Sequence, residues 1–343
     1  MKFNDGLGLL GLIISLIVLW QFRQILLLVF TAMVLSTALN NLVRSLVRKF
    51  NLSRGKSIAI VLIGVGLGLI VFILFVVPPF VEQFQELIRL IPIGFERLGG
   101  WLDSFIANPP SWLPQSELES LPSLAQFYQQ LSSLVPKIFR NFFSIFSGST
   151  AVMLQLLLVL VLTLMFLADP LAYRSLFLQL LPASYRPRVD EILSQSEIGL
   201  LAWLKGVSIN SLFVGILSGL GLLILQIPYV FTHAMIAGVF NFIPNIGPIA
   251  SAVFPVAVAL INSPGKAIAV IILYVIIQQL ESYWISPLVM KKQVNLLPAI
   301  TLIAQIFFTT FLGLLGLILA LPLAVIVKIW AEEILIKDFL NKI

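Results

Sequence analysis

Between Ile58 and Val77 the chain runs for 20 residues without a charge, and this stretch restricts the fold more than any other feature. A helix needs about 20 apolar residues to cross a hydrocarbon core of about 30 Å. Seven more apolar runs accompany it: Leu7 to Trp20, which is short, Ile25 to Leu42, Ala151 to Ala168, Val207 to Leu225, Tyr229 to Ile261, Ala267 to Leu288 and Pro298 to Trp330. Only 10% of the residues are charged, against about 25% in a soluble domain, and the mean hydropathy is +1.07. In hydrocarbon the backbone must satisfy its own hydrogen bonds, which leaves helices or closed barrels. The weak alternation of barrel strands in segments of about 10 residues is missing. The expected fold is therefore all-α: a polytopic integral membrane protein of eight hydrophobic segments, read as about six full spans plus two broken or re-entrant helical hairpins, with amphipathic outer helices.

The chemistry open to such a chain is narrow. It has no cysteine and one histidine, which removes disulfides, thiolate nucleophiles and the usual zinc sites. Arg54-Gly55-Lys56-Ser57 ends like a phosphate-binding loop, but position 50 is Phe50 where that motif needs glycine, and no strand precedes it. No serine lies within a dozen residues of His233, so no enzymatic activity, cofactor or metal is expected. The net charge of +6 reads as orientation charge rather than a nucleic-acid footprint. The first run follows Lys2 and lacks a small-x-small cleavage site, so it reads as half of a retained helical hairpin.

Arg44, Arg48, Lys49, Arg54 and Lys56 crowd between the second and third spans with no acid among them. The positive-inside rule places that loop in the cytoplasm. The expectation is a multi-pass protein of the bacterial plasma (inner) membrane with both termini cytoplasmic. Four regions follow: three N-terminal spans over 1–78, an extracytoplasmic segment over 79–149, a fourth span and cytoplasmic connector over 150–205, and a C-terminal transport region over 206–343. In the outer segment Phe80, Phe84, Leu87, Ile91, Phe95, Leu98, Leu102 and Phe105 recur at helical spacing. After a proline-rich break, Leu124 to Phe142 repeat the pattern. These faces are expected to lie on the bilayer or on a neighbouring subunit.

Tyr229 to Ile261 and Pro298 to Trp330 are each too long for one span, since a 33-residue helix measures roughly 50 Å. The first is interrupted at Asn-Phe-Ile-Pro-Asn-Ile-Gly-Pro, 241 to 248, and the second around Gly313 to Gly316. The arms on either side are each too short to cross alone, so a hairpin that enters and leaves on one side fits both lengths. Each follows one complete span, an arrangement consistent with two inverted units. Non-helical backbone at depth persists only where protein or water surrounds it, so the tips mark a polar interior. Asn241, Pro244, Asn245, Gly247 and Pro248 at the first tip, and Gly313 and Gly316 at the second, are candidate substrate- or ion-binding residues. Glu281 joins them, because a carboxyl within a span is costly to hold and can exchange a proton or meet a cation; the alternative is that Tyr283 and Trp284 mark the interface and Glu281 is a helix-end residue near Lys291 and Lys292. Its neighbours Gln278, Ser282 and Pro287, and Gln305 and Thr309 before the second break, complete the set. His233 is expected to be a packed residue.

Three stretches carry a family likeness: NFIPNIGP at 241–248, ESYWISP at 281–287 with Pro298 after it, and GLLGLILALP at 313–322. With the order of spans and the long outer segment, the chain resembles the autoinducer-2 exporter family of bacterial membrane transporters over almost its whole length. The resemblance implies export of a small polar solute such as autoinducer-2, or, as for some members, exchange of sodium or lithium for protons. It also implies a homo-oligomer such as a pentamer. The expected function is a secondary transporter with H+ or Na+ as coupling ion. The alternative is a non-transporting scaffold that recruits partners through its outer helices.

Overall fold

The structure is a computed structural model and describes residues 17–107, 150–285, 287–288 and 297–334. Most of the first apolar run and the face expected over Leu124 to Phe142 lie outside these residues. All regular structure among the described residues is helical. Five helices are long and apolar enough to cross a membrane, or up to six if a bent pair counts as one.

In chain order the described α-helices are α1 (Arg23–Phe50), α2 (Arg54–Val71), α3 (Val77–Ala107), α4 (Thr150–Ala168), α5 (Pro170–Gln179), α6 (Arg186–Ile224), α7 (Val230–Phe240), α8 (Ile246–Asn262), α9 (Pro264–Leu280) and α10 (Pro298–Ala331). Their ends follow the sequence. Helix α1 closes on Asn51 in the left-handed conformation (φ 51°) with Arg48 and Lys49 in its last turn, residue types that suit a helix C-terminus. The Asp169 carboxylate accepts the Ala172 N–H at 3.1 Å and Pro170 opens α5, so α4 bends into α5 by 89°. Ser263 caps α9 in the same way, with Pro264 after it. The helix that carries the third span continues past position 78. A π-helical turn, Phe72–Val76, joins α2 to α3, and its wider register absorbs Pro78 and Pro79, which have no N–H to give.

The chain forms two compact units. The first comprises 1–64, 150–204 and 292–343, the second 65–149 and 205–291.

In the first unit α1 lies along α4, burying Leu28, Ala32 and Val159 and, nearer the basic loop, Val43, Val61 and Leu167. Two members of the basic cluster reach across to other helices. The Arg54 guanidinium donates to Asn40 Oδ1 at 3.1 Å and to the Leu167 carbonyl at 2.9 Å, and Arg44 pairs with Glu197 at 2.8 Å. Arg54 thus satisfies an orphan carbonyl at the C-terminal end of α4, where a cation also suits the helix dipole. Arg54→Ala is expected to cost about 1–2 kcal/mol, read as a lower melting temperature in detergent. The connector is held the same way: Arg174 bonds Asp190 at 2.5 Å, and Arg188 reaches Glu333 at 2.8 Å.

In the second unit the predicted amphipathic face of α3 is buried from Phe84 to Phe95. Phe84, Leu87, Ile91 and Phe95 pack with Phe254, Ala257 and Val258 of α8. Gly94 makes the approach close: a Cβ there would stand 2.1 Å from the Ala257 carbonyl oxygen. The Thr232 hydroxyl donates to Gln83 Oε1 at 2.6 Å and ties α7 to α3 as well. The cover for this face is thus the chain's own α8, not the bilayer or a neighbouring subunit as expected from sequence. Periodicity reveals that a face is apolar but not what lies over it.

Candidate functional site at the first hairpin tip

Helices α7 and α8 fold back on each other. The rings of Phe240 and Phe254, fourteen positions apart, stand 6.4 Å centre to centre, which no straight continuation of α7 would allow. The reversal occupies 241–245. The Ile243 amide donates to the Phe240 carbonyl at 2.8 Å and the Gly247 amide to the Ile243 carbonyl at 2.8 Å. Asn245 sits at φ 66°, which asparagine tolerates better than most residues. Gly247 lies against the Phe240 carbonyl so closely that a Cβ would fall 1.9 Å from its oxygen. Asn241 and Gly247 are buried, Pro244 and Pro248 half-buried and Asn245 exposed.

Glu281 completes the site. It opens the π-helical turn Glu281–Ile285 that prolongs α9, and it is buried. The Asn241 side-chain amide donates to its Oε1 at 3.0 Å. The amide of Asn210, from α6, donates to the same oxygen at 3.4 Å. Of the sequence candidates in this unit, Asn241 and Glu281 are thus brought into contact. Gln278 instead donates to Ser282 at 3.4 Å on an exposed face, and Pro287 is exposed. Asn210 escaped the sequence reading. Its signal was a carboxamide inside the apolar run Val207 to Leu225, a costly residue to bury without a partner.

The second break lies in the other unit and is built alike. Gly313 has φ 68° and ψ −152° within α10, a conformation open almost only to glycine. A Cβ on Gly316 would stand 2.2 Å from the Phe308 carbonyl, so this segment too turns back on itself. Gln305 is buried and its carbonyl accepts from the Thr309 hydroxyl at 2.5 Å. A cavity of about 550 Å³ in the same unit, lined by Phe30, Tyr173, Trp330 and other mostly apolar residues, includes none of the sequence candidates.

The sequence model of a family described as AI-2E family transporter matches residues 9–336. The chain belongs to this family. It is a multi-pass membrane protein of a transporter family. Among relatives of this AI-2E chain, YueF of Bacillus subtilis (strain 168) is 32% identical over 63% of this chain and 60% of its own. YrrI of the same organism is 27% identical over 44% of this chain and 42% of its own. The AI-2 transport protein TqsA of Escherichia coli (strain K12) is 30% identical over 36% of each chain. The match therefore spans less than two thirds of these relatives' length.

Proposed function

We propose that this AI-2E family chain is a secondary transporter whose binding site is Glu281 with Asn210 and Asn241 at the tip of the α7–α8 hairpin. The observation that carries the reading is the buried carboxyl itself. A carboxylate inside an apolar bundle is expensive to keep, and two amide donors on one oxygen leave the other to meet a proton, a cation or a solute donor. We assign the cargo as a small polar solute that is exported, or a cation exchanged for protons, with H+ or Na+ as the driving ion and no cofactor. TqsA's name supports the first choice, and the oxygen-only character of the Glu281 carboxyl suits a hard cation in the second. The two tips act as re-entrant hairpins, the first dipping from outside and the second from inside. Gln305, Thr309, Gly313 and Gly316 contribute to the second. The chain resides in the bacterial plasma membrane with both termini cytoplasmic, as a homo-oligomer.

Absence of cysteine makes the tip directly testable. In Asn245→Cys the only thiol is on the exposed residue of the tip, and a membrane-impermeant maleimide is expected to label it from the periplasmic side of intact cells. Labelling from the cytoplasmic side alone, in inverted vesicles, would overturn the assigned direction of the hairpin. A scaffold acting through outer helices gains nothing from α3, because the face that would recruit a partner is buried against α8. Deleting Phe80 to Phe105 would also remove the packing surface of the hairpin, so it does not separate the two readings. Substitution at exposed positions such as Ile93 does: transport is expected to survive Ile93→Ser.

A further inference from the structure

Helices α6, α7 and α9 meet along a seam, and their residues meet in levels. At one end Asn210, Asn241 and Glu281 share hydrogen bonds. The next level is apolar: Val214, Ala237 and Ile277 form one buried cluster. One further step along each helix lie Ser218, His233 and Tyr274. The steps are four residues on α6 and α7 and four then three on α9, the spacing that keeps side chains on one helical face. Close contacts fix the register: a Cβ on Gly215 would meet the Ala234 carbonyl at 3.1 Å, and one on Gly219 the Ala234 side chain at 3.1 Å.

The third level is polar and incompletely satisfied. Ser218 and His233 have no exposure at all, and the Ser218 hydroxyl, both His233 ring nitrogens and the Tyr274 hydroxyl are buried without a hydrogen bond of normal geometry. The Ser218 and Tyr274 hydroxyls face each other, and the imidazole lies beside the Pro228 carbonyl. Nearly all buried polar side-chain atoms in native proteins have a partner, in protein or in ordered water. Three neutral groups that each donate and accept suit a molecule that does both, and a buried water makes about three such bonds. A bare ion suits the level poorly, since the side chains of Ser218, His233 and Tyr274 include no carboxylate.

We propose that Ser218, His233 and Tyr274 form a second polar site, occupied by water, about 12 Å along the seam from Glu281 and separated from it by the dry Val214–Ala237–Ile277 level. Its role as a station on the solute path rests on the transport reading above; its water does not. The dry level then has to part for anything polar to pass between the two sites.

Radiolytic hydroxyl-radical footprinting of the full chain in lipid nanodiscs reads this directly, because radicals form from water bound beside a residue. Corrected for intrinsic reactivity and, for half-buried Tyr274, for exposure, His233 and Tyr274 are expected to be modified at least about fivefold faster than Phe254, which is as enclosed as His233 but apolar. In the Ser218→Ala/Tyr274→Phe double variant, modification of His233 is expected to fall about fivefold. Rates at His233 and Tyr274 no higher than at Phe254 would overturn the site, and so would His233 labelling unchanged in the double variant. Glu281→Gln is expected to leave labelling as in the wild type. A chain that loses transport in Glu281→Gln yet shows no labelling refutes the water site alone, whereas one labelled as expected whose Glu281→Gln variant still transports refutes the transport reading alone.

Discussion

Gly247→Ala and Gly316→Ala are each expected to abolish flux and to lower the melting temperature of the purified chain by about 4 °C. The cause is the same at both tips. A methyl on Gly247 would lie 1.9 Å from the Phe240 carbonyl oxygen and one on Gly316 2.2 Å from that of Phe308, and backbone cannot rotate away as a side chain can. Overpacking a tight contact costs about 1–3 kcal/mol, and a clash with main chain belongs at the upper end. The shift per kcal/mol falls with chain length, from about 2–4 °C at 150–250 residues to about 1.4 °C for a chain of 343 residues, which sets its size. Gly64→Ala is the control: nothing lies within 4 Å of a Cβ there, and alanine is the better helix former, so its melting temperature is expected to match or slightly exceed the wild type. Thermal unfolding in detergent, read by intrinsic tryptophan fluorescence, compares all three.

The second large effect separates stability from transport at Glu281. Glu281→Gln keeps the volume and leaves an oxygen to accept from Asn241 and Asn210, so its stability is expected within about 1 kcal/mol of wild type. It can neither release a proton nor carry a charge, and flux is expected to fall at least about tenfold. Glu281→Leu removes the acceptor that the Asn241 amide meets at 3.0 Å. Loss of a buried hydrogen-bond partner costs about 1–3 kcal/mol, but it also removes a buried acid, which offsets part of that. Flux in Glu281→Leu is expected to be lost as in Glu281→Gln. A residue whose isosteric replacement spares the fold and stops the activity serves function rather than packing. Equal losses of stability and flux in Glu281→Gln would assign Glu281 a structural role instead.

Much of this architecture was legible in the sequence because membranes impose length. Twenty uncharged residues at 58–77 admit few folds, and the 33-residue runs had to break somewhere. The breaks announced themselves through Pro244, Asn245 and Gly247 in one case, and Gly313 and Gly316 in the other. What was not legible depended on register between distant helices. Asn210 lies 71 positions from Glu281, and no pattern within α6 states which helix its amide faces. The same limit hid the cover of α3: the spacing of Phe84, Leu87, Ile91 and Phe95 defines a face, but Gly94 against Ala257 becomes meaningful only once the helices are docked. Gln278 and Ser282 were drawn in by nearness to Glu281 along the chain, yet one turn of helix directs them to an exposed face.

On the proposed function, Glu281 couples an ion gradient to movement of a solute. Proteoliposomes holding the wild type, loaded with a metabolite mixture and exposed in turn to a proton gradient, a sodium gradient and neither, measure it most directly when compared with Glu281→Gln. Wild-type flux is expected to follow one of the two imposed gradients, in solute or in exchanged cation, and Glu281→Gln is expected to show none above empty vesicles. Equal flux in both chains, the same with and without a gradient, would contradict the account.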